Sequence, residues 1–367
     1  MNARFTIDGS DALERQLSEL CETIARGVGE IVPSNRLEGL LLGGGYGRGE
    51  GGVLRTAQGD RPYNDLEFYV LIRGPVFVNE RRYRRKLHDV GERLGPDAGL
   101  EVEFKILSLR KLRRSPVSMF FYDLVVGNRR VIGPQGLLDC CDQHRQAEGI
   151  PLHEATRLLM NRCSGLLFAL ERLRRPVFGP EDADFVGRNF AKAQLAFGDV
   201  VLTSRGRYHQ SCLERMERLR AVAADESMPW LGPVRRHHAE GVEFKLHPTR
   251  CEESKQALLA RHAELSDLGR AIWLWLEERR LHARFASARE YALSPVDKCP
   301  ETSAWRNRLA HFKAKGLAAA LRPEANRYPR QRLFHELALL LWEPPAMKPE
   351  EFKDRVESYM EYWHRFN

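Results

Sequence analysis

Hydrophobic and polar positions in the first part of the chain alternate between helical and strand spacing. Residues 11–32 place leucine, isoleucine and valine at steps of three and four, which predicts an amphipathic helix with Asp11 as its N-cap. Short apolar runs predict strands over residues 40–42, 66–72 and 100–107. Residues 79–94 again have helical spacing. Strands that alternate with helices in this way are typical of an α/β or α+β unit.

Beyond residue 150 the spacing becomes helical almost throughout. Apolar residues at core spacing predict helices over residues 152–173, 182–203, 212–224, 252–280, 332–341 and 349–363. Proline-bearing breaks separate several of these segments. The spacing therefore predicts an α/β or α+β unit in the first part of the chain, followed by a helical part.

Composition narrows the class of protein. The 367 residues are 43% hydrophobic and 29% charged, which is ordinary for a globular chain. Seven cysteines lie scattered without metal-type spacing, which favours a reducing compartment over a disulfide scaffold. The apolar runs fall short of the roughly 18 residues of a membrane span, and the first residues contain no apolar signal segment. We therefore expect a cytoplasmic protein with no membrane partner.

The net charge of +8 falls mostly on residues 151–367. A basic surplus attracts partners that carry phosphate, such as nucleotides, acidic substrates or RNA. The surplus is mild for a chain of this length, so a role in solubility alone fits equally well. Charge by itself does not choose between these alternatives.

A glycine cluster follows the first short strand. The run from Gly43 to Glu50 reads GGGYGRGE. Glycines after a strand let backbone N–H groups approach an anion closely, because no Cβ stands in the way. The run lacks the Gly-Lys-Ser/Thr of a Walker loop and is not a dinucleotide fingerprint. It indicates an anion-binding turn only weakly.

Acidic residues on the next strands sharpen this interpretation. Asp65 and Glu67 are two residues apart on a predicted strand, so both side chains leave the same face. The same holds for Glu101 and Glu103 on the following strand. Carboxylates held together repel unless a cation lies between them, and Mg²⁺ prefers carboxylates plus substrate phosphates. The pattern predicts metal-assisted phosphoryl or nucleotidyl transfer; the alternative is a row of acids on the solvent face of the sheet.

These motifs resemble those of the polymerase-β-type nucleotidyltransferase superfamily. The stretch from Gly44 to Glu50 is similar to the Gly-Ser-Tyr-Ala-Arg-Gly-Glu form of its minimal members. Residues 64–67 match the metal-binding dyad, and residues 62–67 with 101–104 look like the kanamycin-type aminoglycoside nucleotidyltransferases. Those enzymes also carry a helical second domain. The likeness in motifs covers roughly residues 35–135.

The resemblance implies an α+β fold with two domains. A catalytic nucleotidyltransferase domain with a mixed sheet flanked by helices is expected over residues 1–145, and an all-α domain that closes over the nucleotide is expected over residues 146–367. It implies Mg²⁺, with Mn²⁺ as the alternative ion, held by Asp65, Glu67 and a third acid. The general pattern favours Glu103 as that acid, and the kanamycin-type pattern favours Glu101. The residues expected to bind the nucleotide are Gly44, Gly45, Tyr46, Arg48, Lys192 and Tyr208.

The implied reaction moves a nucleoside monophosphate from an NTP to an acceptor hydroxyl and releases pyrophosphate. A small-molecule acceptor is expected first. A tRNA or protein acceptor, and a nucleotide- or RNA-binding module without turnover, remain open alternatives. Two positions depart from the pattern: Gly45 stands where the family has serine, and residues 155–170 contain no acid where the kanamycin enzymes carry their base. The sequence therefore leaves the base, the NTP and the oligomeric state undetermined, although Glu103 itself could serve as the base.

Overall fold

The structure is a computed structural model that describes residues 4–344 and 347–367. Its strands are β1 (Leu37–Leu42), β2 (Val53–Thr56), β3 (Gly59–Pro62), β4 (Asp65–Ile72), β5 (Glu101–Leu107) and β6 (Arg129–Ile132). The helices up to residue 174 are α1 (Asp11–Ile31), α2 (Gly44–Arg48), α3 (Val76–Ala98), α4 (Leu109–Arg114), α5 (Met119–Val126) and α6 (Leu152–Arg174).

The later helices are α7 (Pro180–Ser204), α8 (Cys212–Arg220), α9 (Leu231–Leu246), α10 (Lys255–Leu281), α11 (Ala288–Leu293), α12 (Ala304–Lys315), α13 (Leu317–Ala320), α14 (Arg330–Leu337) and α15 (Pro349–Phe366). Short 3₁₀ segments lie at Asp139–His144, Ala147–Gly149 and Pro323–Asn326, and a π-helical turn at Ala338–Trp342 extends α14. The helices predicted after residue 150 are thus present, with ends shifted by a few residues.

Four strands form one mixed sheet in the order β5-β4-β1-β6. β1 pairs antiparallel with both β4 and β6, whereas β4 and β5 run parallel. β2 and β3 form a separate hairpin that the sequence analysis did not predict. The predicted α+β fold, with a mixed sheet followed by a helical region, is confirmed.

Alternation along β4 sends its side chains to two different surroundings. Leu66, Phe68 and Val70 are buried in a core that includes apolar residues of α1 and α3. Tyr69 and Leu71 point the other way, into a second core with residues of α4 and α5. Because side chains alternate along a strand, Asp65 and Glu67 belong to the Tyr69 face. The acids of β4 therefore share a face that lies away from α1 and α3.

The start of α1 differs from the prediction in its capping residue. Ser10, and not Asp11, is the N-cap, and its hydroxyl accepts a hydrogen bond from the Leu13 amide. Asp11 instead forms an exposed ion pair with Arg4. Serine and aspartate cap equally well, so the sequence could not decide between neighbours.

The chain packs as two units that interleave along the sequence. The first contains Met1–Pro151, Arg205–Ala221 and Val242–Thr249, and the second contains Leu152–Ser204, Val222–Gly241 and Arg250–Asn367. The assignment of a catalytic domain to residues 1–145 and of a nucleotide-closing domain to residues 146–367 stays a prediction. Within the described residues, no helix has both the length and the apolar character needed to cross a membrane.

The packing of β4 predicts a large stability loss for Phe68→Ala. Phe68 is fully buried and its ring stacks on that of Phe104 at a centroid distance of 5.7 Å. Its removal leaves a cavity, so we expect the free energy of unfolding to fall by about 3–5 kcal/mol in a denaturant titration. Phe77→Ala is the control, because Phe77 is 74% exposed at the start of α3 and its loss should change stability by only about 0.5 kcal/mol. Equal losses of stability in the two variants would contradict the burial of Phe68 in this core.

Candidate functional site

The parallel register of β4 and β5 brings the predicted acids onto one face. Asp65 lies opposite Glu101, and Glu67 lies opposite Glu103. Carboxylate oxygens of Asp65, Glu67 and Glu103 all lie within 4.8 Å of one another, and the three residues are half-buried. Glu101 is exposed at the start of β5 and is not part of this group. We call Asp65, Glu67 and Glu103 the acidic triad.

The triad is electrostatically costly without a cation. Burial raises the pKa of Asp65, and the negative charge of Glu67 raises it further. Ionised oxygens held this close repel, and a divalent ion between them removes that repulsion. Carboxylate oxygens are the hard donors that Mg²⁺ and Mn²⁺ prefer. The triad therefore fits the predicted ion, and its donors suit no soft metal.

Lys105 supplies positive charge to the triad, which the sequence analysis did not anticipate. Its Nζ lies 2.8 Å from Glu67 Oε1 and 3.5 Å from Glu103 Oε2. The hydroxyl of Tyr69, which lies opposite Lys105 in the register, donates to Glu67 Oε2 at 3.1 Å. Lys105 stands two residues after Glu103 on one strand, and that spacing was the available signal that it shares the face.

The glycine run forms the short helix α2 directly beside the triad. The Gly43 amide donates to the Glu67 carbonyl at 2.9 Å, which ties the beginning of the run to β4. A Cβ on Gly44 would lie 3.4 Å from Glu67 Oε2, and Gly44 has a φ of +61°. A side chain at position 44 would have a strained backbone, and its Cβ would contact the Glu67 carboxylate. The predicted proximity of glycine run and acids is present in the structure.

Gly45 occupies a position where a side chain has little space. A Cβ at this position would lie 2.9 Å from the backbone carbonyl oxygen of Glu50. The run turns back on itself here, since the Glu50 amide also donates to the Gly45 carbonyl at 2.9 Å. A serine could enter only if the backbone moved. Glycine at position 45 therefore permits the tight turn.

Tyr46 holds the glycine run to the segment that precedes β4. Its buried hydroxyl lies 2.8 Å from the Gly52 carbonyl oxygen and accepts from the Tyr63 amide at 2.8 Å. Burial raises the pKa of Tyr46 well above its usual range. The side chain is therefore engaged within the protein, and a contact between Tyr46 and the nucleotide stays a prediction.

Arg48 and Asp123 line a small cavity next to the glycine run. The cavity has a volume of about 150 Å³ and is lined by Gly43, Gly44, Arg48, Glu67, Tyr69, Phe120, Asp123 and Leu124. Arg48 lies 3.9 Å from Asp123, and the hydroxyl of Tyr208 donates to Asp123 at 3.1 Å. Burial raises the pKa of Asp123, and the Arg48 charge counteracts this.

Two residues that line this cavity each have one unsatisfied polar atom. Arg48 Nε and Asp123 Oδ1 are buried and have no hydrogen-bond partner in the part of the chain that the structure describes. Buried polar atoms are normally satisfied, so this pair is an unusual feature of the site. Tyr208 reaches the site through Asp123, as its hydrogen bond shows. Lys192 lies on α7 in the second unit, and its role stays a prediction.

Glu50, the last residue of the glycine run, is buried and makes contacts that the sequence analysis did not predict. It is only 4% exposed, and it accepts hydrogen bonds from the Ser211 hydroxyl and the Cys212 amide, with Lys245 Nζ 3.5 Å away. Burial would raise its pKa, but Lys245 and these hydrogen bonds lower the pKa of Glu50 to about 2. The contact stabilises the protein above the ordinary pKa of glutamate and is lost on acidification toward pH 2.

Comparisons with known proteins leave the site to be interpreted from its geometry. No protein-family model and no curated protein matches the chain. Among solved structures, the chain is similar to spectinomycin adenyltransferase AAD(9) from Enterococcus faecialis, determined with ATP and spectinomycin. The identity is 13%, the match covers 68% of this chain and 98% of that chain, and the TM-score is 0.39. At this score the likeness adds nothing to the assignment of the site.

A serine at position 45 should damage the turn. We expect Gly45→Ser to lower the free energy of unfolding by about 1–3 kcal/mol, because its Cβ meets the Glu50 carbonyl. Gly29→Ser is the matched control, since a Cβ on Gly29 in α1 has no neighbour within 4 Å. Thermal unfolding of both variants measures the effect. A Gly45→Ser protein as stable as the parent would show that the turn is not tightly closed.

Removing the Lys105 charge should separate its effect on stability from its effect on ion binding. We expect Lys105→Met to lower the stability of the metal-free protein by about 0.5–1 kcal/mol, because the half-exposed ammonium no longer pairs with Glu67. Affinity for Mg²⁺ in titration calorimetry should rise, since the ion no longer competes with the ammonium. Lys111→Met, on the exposed side of α4, is the control. An unchanged Mg²⁺ affinity would contradict the competition.

Proposed function

We propose that the protein is a nucleotidyltransferase that moves a nucleoside monophosphate from an NTP to an acceptor hydroxyl and releases pyrophosphate. The observation that supports this most strongly is the convergence of Asp65, Glu67 and Glu103 beside the glycine run. A small molecule is the first choice of acceptor, and tRNA or a protein is the alternative within the same chemistry.

Each group of the site has a distinct task in this proposal. The acidic triad would hold Mg²⁺ or Mn²⁺, which when bound stabilises negative charge on the transferred phosphoryl group and its neighbours. Glu103, not Glu101, is the proposed third acid, because its carboxylate oxygen lies within 4.8 Å of those of Asp65 and Glu67. Arg48 would offset charge on the outer phosphates from its position in the cavity wall. Glu103, whose side chain is 41% exposed, is also the proposed acceptor of the hydroxyl proton.

A nucleotide-binding module without turnover is the second proposal. The observation that favours it is Gly45, because the steric position of Glu50 leaves no room for the serine hydroxyl that helps to hold a phosphate in the family. The two proposals agree on nucleotide binding and differ only in turnover. Label transfer from an NTP therefore decides between them.

Removal of one triad carboxylate should abolish transfer while it stabilises the metal-free protein. Incubation of Asp65→Asn with labelled NTP, Mg²⁺ and a cell extract should give roughly a hundredfold less labelled product than the parent. The folded state raises the pKa of Asp65, so its ionised form opposes folding, and the melting temperature of metal-free Asp65→Asn at pH 7 should be higher.

A second pair of variants tests the choice of the third acid. Glu103→Gln removes a triad carboxylate and should lose transfer. Glu101→Gln is the matched control, because it removes an acid from the same face outside the triad and should keep full transfer. The reverse result would assign Glu101 as the third acid. Absence of transfer by the parent, with nucleotide still raising its melting temperature, would favour the binding module.

A further inference from the structure

The helix α12 is turned with its apolar side toward solvent. Trp305, Leu309 and Phe312 recur at steps of four and three, so they form one stripe, and all three are exposed. Asn307, on the opposite side of the helix, is buried. A surface helix ordinarily buries its apolar stripe and exposes its polar one. The polarity of α12 is the reverse.

Hydrogen bonds fix this reversed orientation. The Asn307 side-chain amide donates to the Asn326 carbonyl at 2.7 Å, and His311 Nε2 lies 3.1 Å from the Arg327 carbonyl oxygen. Arg308 Nε donates to the Asn326 side chain at 2.9 Å. The helix is therefore held by its polar side, and the apolar stripe faces outward as a consequence of specific bonds.

Further exposed apolar residues follow the end of α12 in the sequence. Leu317 and Leu321 are also exposed, so a short segment carries five large apolar side chains with exposed fractions between 41 and 68%. Single exposed apolar residues are common on protein surfaces, but groups of them mark interaction sites. We call Trp305, Leu309, Phe312, Leu317 and Leu321 the outward face.

Basic residues border the outward face on both sides. Arg306 and Lys313 are seven residues apart and lie to one side of the stripe, and Arg308 and Lys315 lie to the other. Residues 304–322 contain no acid, and all four of these cations are exposed. None forms an ion pair with a carboxylate within the described residues. Exposed cations therefore flank the outward face on both sides.

We propose that the outward face docks on a lipid bilayer that contains anionic headgroups. An interfacial helix presents Trp, Phe and Leu to the acyl boundary while Lys and Arg on its flanks meet anionic lipid, which is the arrangement found here. A second copy of the chain would bring the same cations against each other in a symmetric contact. RNA would pair with the cations but leave the leucines and Phe312 without a partner. The proposal concerns peripheral attachment and is independent of the proposed nucleotidyl transfer.

Co-sedimentation of the full chain with vesicles tests the proposal. We expect binding to vesicles of equal parts phosphatidylcholine and phosphatidylglycerol, weaker binding at high salt, and no binding to phosphatidylcholine alone. The double variant Trp305→Ser with Phe312→Ser should lower the partition coefficient by about tenfold or more. Val177→Ser is the matched control, because Val177 is an exposed apolar residue outside the outward face, and it should bind as the parent does.

Both altered residues are exposed, so the double variant should unfold at the temperature of the parent, and a melting curve verifies this. Failure of the parent to bind the anionic vesicles, or equal binding by the double variant, would overturn the proposal. Light scattering that shows concentration-dependent dimers lost in the double variant would overturn it in favour of self-association. Retardation of RNA that survives the loss of Trp305 and Phe312, without vesicle binding, would overturn it in favour of nucleic acid.

Discussion

Parallel pairing between β4 and β5 forces like charges together, and the candidate site follows from that constraint. The register sets Glu67 beside Glu103 and Asp65 beside Glu101. It cannot slip by one residue, because a slip would turn the acids of one strand into the core and its apolar residues out of it. Burial of Leu66 and Phe68 against α1 and α3 thus fixes the register and keeps the triad carboxylates close together. The hydrophobic free energy of this core offsets the repulsion between the carboxylates.

Two glutamates at either side of the glycine run show how surroundings separate structural from chemical acids. Glu50 is enclosed and has three fixed partners, one of them the Lys245 cation. Its pKa of about 2 keeps it ionised at any physiological pH, and it has no open side for a ligand. Glu67 pairs with the half-exposed ammonium of Lys105 and lines the cavity. Glu67, unlike Glu50, is therefore accessible to a metal ion.

Local patterns in the sequence predicted β1, β4 and β5 and the face shared by the acids, but not the hairpin of β2 and β3. They could not choose between Glu101 and Glu103, because both have the same parity on β5 and only the register with β4 distinguishes them. Lys105 has the same parity too, but a lysine on a strand is more often solvated than paired. The Glu50 contacts join residues more than 160 positions apart, and no local period encodes them.

The region between residues 281 and 331 illustrates a different limit. Periodicity reports that a helix has two unlike sides, but the sequence analysis assumed that the apolar side is the buried one. In α12 the buried side holds Asn307, so no core-type helix was predicted there. The bonds that reverse α12 come from the carbonyls of Asn326 and Arg327, which a single-helix pattern does not contain.

The interleaved course of the chain has a consequence for its biosynthesis. The first unit is complete only when Val242–Thr249 is available, and this segment supplies Lys245 to Glu50. A ribosome that adds about 5–20 residues per second makes Glu50 wait roughly 10–40 seconds for that lysine. Until then Glu50 lacks its cation, and the glycine run is held by the Gly43 and Tyr46 hydrogen bonds. The order of translation therefore delays the Glu50 contacts, and not the acidic triad, until after α6 and α7 have been made.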